Sequence, residues 1–224
     1  MENNKKLQNI KNKNIKNIII NNLRWIIMLI FIIMFFAILD DVMDEEIYSL
    51  DVKGYNFVTM GMNENLTVVA KVVTRMASPI ILALFAFILL ATMKNKKIKY
   101  TAIINLAMAA LLNFLIKNII QRPRPVGHRL IDESGYSFPS GHSMVSMAFY
   151  GYFIYLINKN VKSKKTRILA TIGLTCLIVS IGLSRIYLGV HYTSDVLGGF
   201  CIAVSYLMVY TGVIKWLSKN RQKK

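Results

Sequence analysis

Long apolar runs alternate with short polar connections along the whole chain. The runs fall at about 23–39, 66–93, 100–121, 140–158, 168–188 and 194–216. Each is close to or above the length of roughly 18–20 residues that crosses a bilayer as a helix. A water-soluble domain would break such runs with polar positions every turn. The pattern therefore predicts an all-α bundle of six transmembrane helices spanning 23–216, with no internal repeat. Residues 1–22 are rich in Asn and Lys and read as a basic cytoplasmic tail with a short helix on the membrane surface. Residues 217–224 form a second basic tail. The 40–65 connection is acidic and interrupted by Gly54 and Gly61, which predicts an ordinary loop. Its Ile47, Leu50, Tyr55 and Phe57 rest on the membrane or cap the bundle. Pro79 predicts a kink in the second span. Pro123 and Pro125 end the third and hold the following residues extended.

Charge orients the bundle. The net charge of +17 suggests nucleic acid at first sight. Its distribution argues otherwise. The basic clusters lie at 5–24, 94–99, 159–167 and 215–224, and the alternate connections hold the acids, Asp40, Asp41, Asp44, Glu45, Glu46, Asp51, Glu64, Asp132 and Glu133 among them. This is the positive-inside distribution, so both termini face the cytoplasm and the basic clusters meet anionic membrane lipids, not nucleic acid. Lys71 and Arg75, in the outer part of the second span, lie near the interface or face the bundle interior; they snorkel or hold a lipid headgroup. Cys176 and Cys201 sit inside apolar runs and read as two buried thiols, with no disulfide framework and no metal spacing.

Three polar stretches interrupt this scaffold. Residues 184–195 carry Ser184, Arg185, His191 and Asp195. Asp195 lies four residues after His191, so one helical turn brings its carboxylate to the imidazole. A carboxylate on Nδ1–H fixes the tautomer and frees Nε2 as a nucleophile. Lys117 and Arg124, with Arg185, supply cations suited to phosphate oxygens. Ser140, Gly141 and His142 open the fourth span. A helix start offers free N–H groups to an anion, Ser140 caps it, and Gly141 lets a phosphate approach. All three stretches fall at the outer ends of the predicted spans, which points to one shared site. His128 reads as solvent-exposed, and Arg122 takes second rank behind Arg124.

These stretches are complete matches to K-x6-R-P (117–125), P-S-G-H (139–142) and S-R-x5-H-x3-D (184–195). In them the chain resembles the type 2 phosphatidic acid phosphatases, which share a fold with vanadium haloperoxidases and bacterial class A acid phosphatases. The resemblance implies a metal-independent hydrolase with no cofactor, in which Lys117, Arg124, Arg185, Ser140 and Gly141 bind phosphate. His191 attacks phosphorus, Asp195 orients it, and His142 protonates the leaving oxygen and then activates water. It further implies a bacterial cell-membrane enzyme acting on a lipid phosphate or pyrophosphate at the outer face. Undecaprenyl pyrophosphate is the preferred substrate; phosphatidylglycerophosphate and phosphatidic acid are alternatives. A lipid phosphotransferase, and a non-catalytic anionic-lipid binding or transport protein, stay open as rival readings.

Overall fold

The computed structural model describes residues 2–44 and 47–221, and the side chains of 22–44 and 47–220. Glu45 and Glu46 of the acidic connection and residues 222–224 of the second basic tail lie outside the described residues. The described residues fold into eight helices: α1 Glu2–Met43, α2 Tyr48–Thr59, α3 Glu64–Arg75, α4 Pro79–Thr92, α5 Lys96–Ile120, α6 Gly141–Asn160, α7 Lys164–Tyr187 and α8 Thr193–Arg221. No strand occurs among the described residues.

Among the described residues, four helices are long and apolar enough to cross a membrane: α1 from Asn22, α5, α7 and α8. A fifth crossing is available if α3 and α4 act as one broken span, bent by 46°. The bend has a local cause. Ser78 caps α4 and accepts from the Ile81 N–H, and Pro79 takes the first helical position, where its missing N–H costs nothing. The kink expected at Pro79 is therefore a break between two capped helices. Lys71 and Arg75 are exposed on α3, so the interior placement does not apply to them.

α6, despite its 20 residues, is not apolar enough to stand among these helices. Its position explains why. It packs against α5, α7 and α8 at once, and much of its polar content, including Ser143, Ser146, Tyr150 and Tyr152, is buried in protein. A helix shielded from lipid on most sides does not need an apolar surface all round.

Two other expectations change. The 40–65 connection contains a helix, α2, rather than only a loop. Ile47, just before it, is buried among Phe35, Val42 and Phe138, whereas Leu50 and Phe57 are exposed. Cys201 is buried, but Cys176 is exposed on α7; its apolar setting would come from lipid, not from protein.

Glycines set how closely the helices approach. At Gly199 of α8 a Cβ would come within 2.9 Å of the Ser140 carbonyl oxygen, and at Gly182 of α7 within 2.6 Å of the Phe200 ring. The first contact is to backbone, at the start of α6, and cannot be relieved by a rotamer change. Gly199→Val is therefore expected to destabilise the bundle by about 1–3 kcal/mol, as overpacking does, and to lower the thermal midpoint in detergent well beyond Gly173→Val. Gly173 has open space around it. Equal midpoints for the two variants would refute the packing argument.

Candidate active site

Two connections meet at one end of the bundle: 121–140, between α5 and α6, and 188–192, between α7 and α8. Backbone bonds tie them together. The Leu130 N–H donates to the Leu188 carbonyl at 3.0 Å, and the Ser140 N–H donates to the Asp195 carbonyl at 2.9 Å. Gly189 makes the approach possible. Its φ is +68°, and a Cβ there would fall 2.2 Å from the His128 carbonyl oxygen.

This junction gathers the residues that the sequence singles out. Lys117, Arg124, Gly141, His142 and His191 line one cavity of about 480 Å³. Asp195 lies behind His191, with its Oδ2 3.2 Å from Nδ1. The same oxygen accepts the Tyr192 N–H at 2.9 Å. On the other side of the ring, Arg124 Nη1 lies 3.1 Å from His191 Nε2. A guanidinium can only donate, so Nε2 is the acceptor and Nδ1 carries the proton to Asp195. This is the tautomer that a nucleophilic Nε2 requires. Burial, followed by the positive charges of Arg185, Arg124 and Lys117, holds the His191 pKa well below its ordinary value. The imidazole is neutral at physiological pH.

The cations are held by neighbouring oxygens. Arg124 donates to the carbonyls of Gly135, Ser134 and Val190 at 2.9–3.0 Å. Lys117 donates to the carbonyls of Tyr136 and Ser137. Arg185, only 1% exposed, donates to Thr74 Oγ1 at 2.9 Å and is paired with Glu133. Glu133 also faces Arg124 at 3.9 Å and lines the cavity. Burial opposes its ionisation, but the Arg185 guanidinium outweighs this and holds the carboxyl below the usual carboxylate range. In the sequence Glu133 is one of several acids in the polar connections. Nothing in its local pattern distinguishes it from Asp132.

Ser140 departs from expectation in one respect. It is fully buried, caps α6 by accepting the Ser143 N–H, and does not line the cavity. Its own N–H is already used on Asp195. The N–H groups of Gly141 and His142, as the first of α6, have no intrahelical acceptor. Gly141 has a packing reason as well, since a Cβ there would meet Asn113 Oδ1 at 2.9 Å. His128 is exposed, as expected, and stacks on Tyr55 with ring centroids 6.0 Å apart.

Arg122 does not face the cavity. Its Nη1 donates to Asp195 Oδ1 at 2.7 Å, and its Nη2 donates to Asp51 Oδ2 at 2.8 Å. Asp51, on α2, is 5% exposed. Sequence reasoning missed this partner because Asp51 and Arg122 are 71 residues apart and no spacing links them.

The cavity has two chemically distinct ends. Cations, histidines and Glu133 form one end. Ala77, Pro79, Leu82, Ala83, Leu106 and Ala110 form the other, on the break before α4 and on α4 and α5. An anionic group attached to an apolar chain matches this division, with a neutral imidazole and a second histidine beside the anion.

The chain is 38% identical over 115 residues to phosphatidylglycerophosphatase B of Bacillus subtilis, covering 50% of this chain and 56% of that protein. It is 31% identical over 129 residues to human dolichyldiphosphatase 1, covering 53% and 54%. The matched stretch thus spans little more than half the length of each relative. The fold matches the crystal structure of a transmembrane PAP2-type phosphatidylglycerolphosphate phosphatase from Bacillus subtilis, with a TM-score of 0.77 and 26% identity over 84% of this chain and 96% of that one. Aquifex aeolicus LpxE shares the fold at a TM-score of 0.59 and 20% identity, over 73% of this chain and 95% of its own. The PAP2 superfamily pattern matches residues 98–219; that is more than half of the chain, includes every motif position, and establishes that the chain belongs to the PAP2 superfamily.

Proposed function

We propose that this protein is an integral membrane lipid phosphatase that hydrolyses a lipid phosphate or pyrophosphate through a phosphohistidine. The observation that carries the proposal is the neutral, oriented His191, whose Nε2 meets a cation-lined cavity with an apolar far end. Phosphoryl transfer depends mainly on positioning and charge stabilisation. Lys117, Arg124 and Arg185 supply the charge, with the first N–H groups of α6. His191 Nε2 attacks phosphorus in line as the bond to the leaving oxygen breaks, and His142 gives that oxygen a proton. Asp195 stabilises the imidazolium. Water, deprotonated by His142, then attacks phosphorus, the P–N bond breaks, and inorganic phosphate leaves.

The substrate we favour is undecaprenyl pyrophosphate. Its chemistry, a polyprenyl diphosphate, is of the class in the human relative's name. Phosphatidylglycerophosphate, named in the Bacillus relatives, is the second reading. For the topology we propose six crossings, with α3–α4 as one and α6 as another, both termini in the cytoplasm and the site at the outer face of a bacterial cell membrane. The basic turns at 94–99 and 159–167 support it, because they lie at the helix ends away from the motif connections.

Phosphate release by the purified protein in detergent, across a panel of lipid mono- and pyrophosphates, tests the reading. The wild type is expected to hydrolyse at least one, and His191→Ala to lose turnover by at least about 10³-fold. A wild type that binds these lipids and releases no phosphate would instead support a binding or transport protein. General-acid help is worth about 10²–10⁴-fold. Replacing His142 should therefore slow phosphoenzyme formation from a monoester, which has a poor leaving group, more than from a pyrophosphate. Equal losses would count against His142 as the acid.

Glu133 occupies the cations that a phosphoryl group needs, so an incoming phosphate competes with it. Glu133→Gln is expected to tighten inhibition by inorganic phosphate or vanadate about tenfold, the scale of one charge-assisted hydrogen bond. Weaker inhibition in this variant would show that Glu133 helps to organise the cradle instead of occupying it.

A further inference from the structure

Arg122 stands two residues before Arg124, yet the structure gives the two arginines different surroundings. Arg124 lines the cavity beside His191 Nε2. Arg122 does not; it borders a separate groove on the α1 and α2 side, beside Val42, Met43, Ile47 and Tyr48. Its fork is committed in that direction. One nitrogen donates to Asp195 Oδ1 at 2.7 Å and to Ser194 Oγ at 2.7 Å, and the other donates to Asp51 Oδ2 at 2.8 Å. The guanidinium lies 4.1 Å from the centroid of the Tyr192 ring. Asp51 closes the arrangement by accepting the Ser194 N–H at 2.8 Å and the Ser194 hydroxyl at 2.9 Å.

Resting on the phosphatase reading above, we infer that Arg122 and Asp51 form a positioning pair that fixes the carboxylate of Asp195, and through it the imidazole of His191. The argument is one of freedom and charge. Asp195 uses Oδ2 for His191 and for the Tyr192 N–H, which leaves Oδ1 as the handle by which the carboxylate plane can rotate. Arg122 holds that handle. A lone arginine there would draw the carboxylate's charge away from the imidazolium that forms on attack. Asp51 offsets that charge, so the pair orients Asp195 and adds no net charge beside His191. Asp51 is itself held in place by tight helix packing. At Gly54, one turn further along α2, a Cβ would fall 2.1 Å from Thr193 Oγ1. α2 is thereby part of the active-site apparatus and not a surface connection.

The test compares Arg122→Gln, Arg122→Lys, Arg122→Ala and Asp51→Asn with Arg124→Gln. The measurements are kcat, KM, the inhibition constant of inorganic phosphate, and the thermal midpoint. Partners that act through another ligand are commonly worth about 10–100-fold. Arg122→Gln is expected to lose that much in kcat, with KM and phosphate inhibition changed less than about twofold. Arg124→Gln should weaken both. Arg122→Lys keeps the charge but not the fork, and should recover only part of kcat. Asp51→Asn should show the same split with a smaller loss, and the double variant should lose no more than Arg122→Gln alone. Millimolar guanidinium should restore turnover to Arg122→Ala, and ammonium should not. The inference is overturned if Arg122→Gln raises KM as Arg124→Gln does, or leaves kcat intact. It is also overturned if activity falls only in step with the thermal midpoint and guanidinium restores nothing. A wild type that hydrolyses none of the lipid phosphates would sink the functional reading before any variant is compared.

Discussion

The architecture depends on one constraint: cations removed from water at the end of a membrane bundle must be given anions or oriented dipoles. Desolvating a guanidinium costs several kcal/mol unless partners replace its water. Arg185 is 1% exposed and Arg124 8%. Their partners come from two connections and a helix: Glu133 and the carbonyls of Ser134 and Gly135 from one connection, Val190 from the other, and Thr74 from α3. Packing then follows from these bonds. The glycines at 189 and 199 let the two connections come close enough to share donors and acceptors.

Much of the site was legible in the sequence, and for a physical reason. Residues brought together by one helix end or turn keep fixed offsets, so their spacing survives as a pattern. His191 and Asp195 are the plainest case, since a one-turn offset alone predicts the 3.2 Å contact that is found. Spans are legible because lipid demands uninterrupted apolar length. What spacing cannot carry is a contact between distant segments. Asp51 reaches Arg122 and Ser194 through tertiary packing, and Glu133 reaches Arg185 across a loop. Both acids look in sequence like the ordinary polar content of an outer connection. α6 illustrates the converse. Its apolar run reads as a span, yet its composition also reflects burial among other helices, and polarity alone does not separate the two influences.

The break before α4 connects fold to substrate. Because Ser78 and Pro79 end one helix and start another, the chain turns 46° there. The start of α4 and the break itself contribute Pro79, Leu82, Ala83 and Ala77 to the apolar end of the cavity. A straight helix would continue its i, i+4 face and present a different set of residues. A mostly exposed α4, with Ile80, Leu84 and Phe87 turned outward, is a wall that lipid can touch on one side while the cavity lies on the other. The polar chemistry is thus fixed by buried bonds, and the apolar end is bounded by the least enclosed helix.

The distribution of charge separates two jobs that the basic residues perform. Arg122 is matched by Asp195 on one side and Asp51 on the other, so it adds little field to the cavity. Arg124 and Arg185 share a single carboxylate, Glu133, and these two and Lys117 otherwise rely on carbonyl and hydroxyl oxygens. Carbonyl dipoles stabilise a cation without cancelling its charge, so the positive potential persists at the cavity mouth and attracts anions. Arg124 also donates to His191 Nε2, the atom whose lone pair attacks in the mechanism we propose. While that bond stands, the lone pair is occupied. On that mechanism, a phosphoryl group that takes the Arg124 donors for its own oxygens would release Nε2 in the same movement. Binding and activation would then have a common cause: the arginine cannot serve a phosphate and the imidazole equally, and the more highly charged acceptor would prevail.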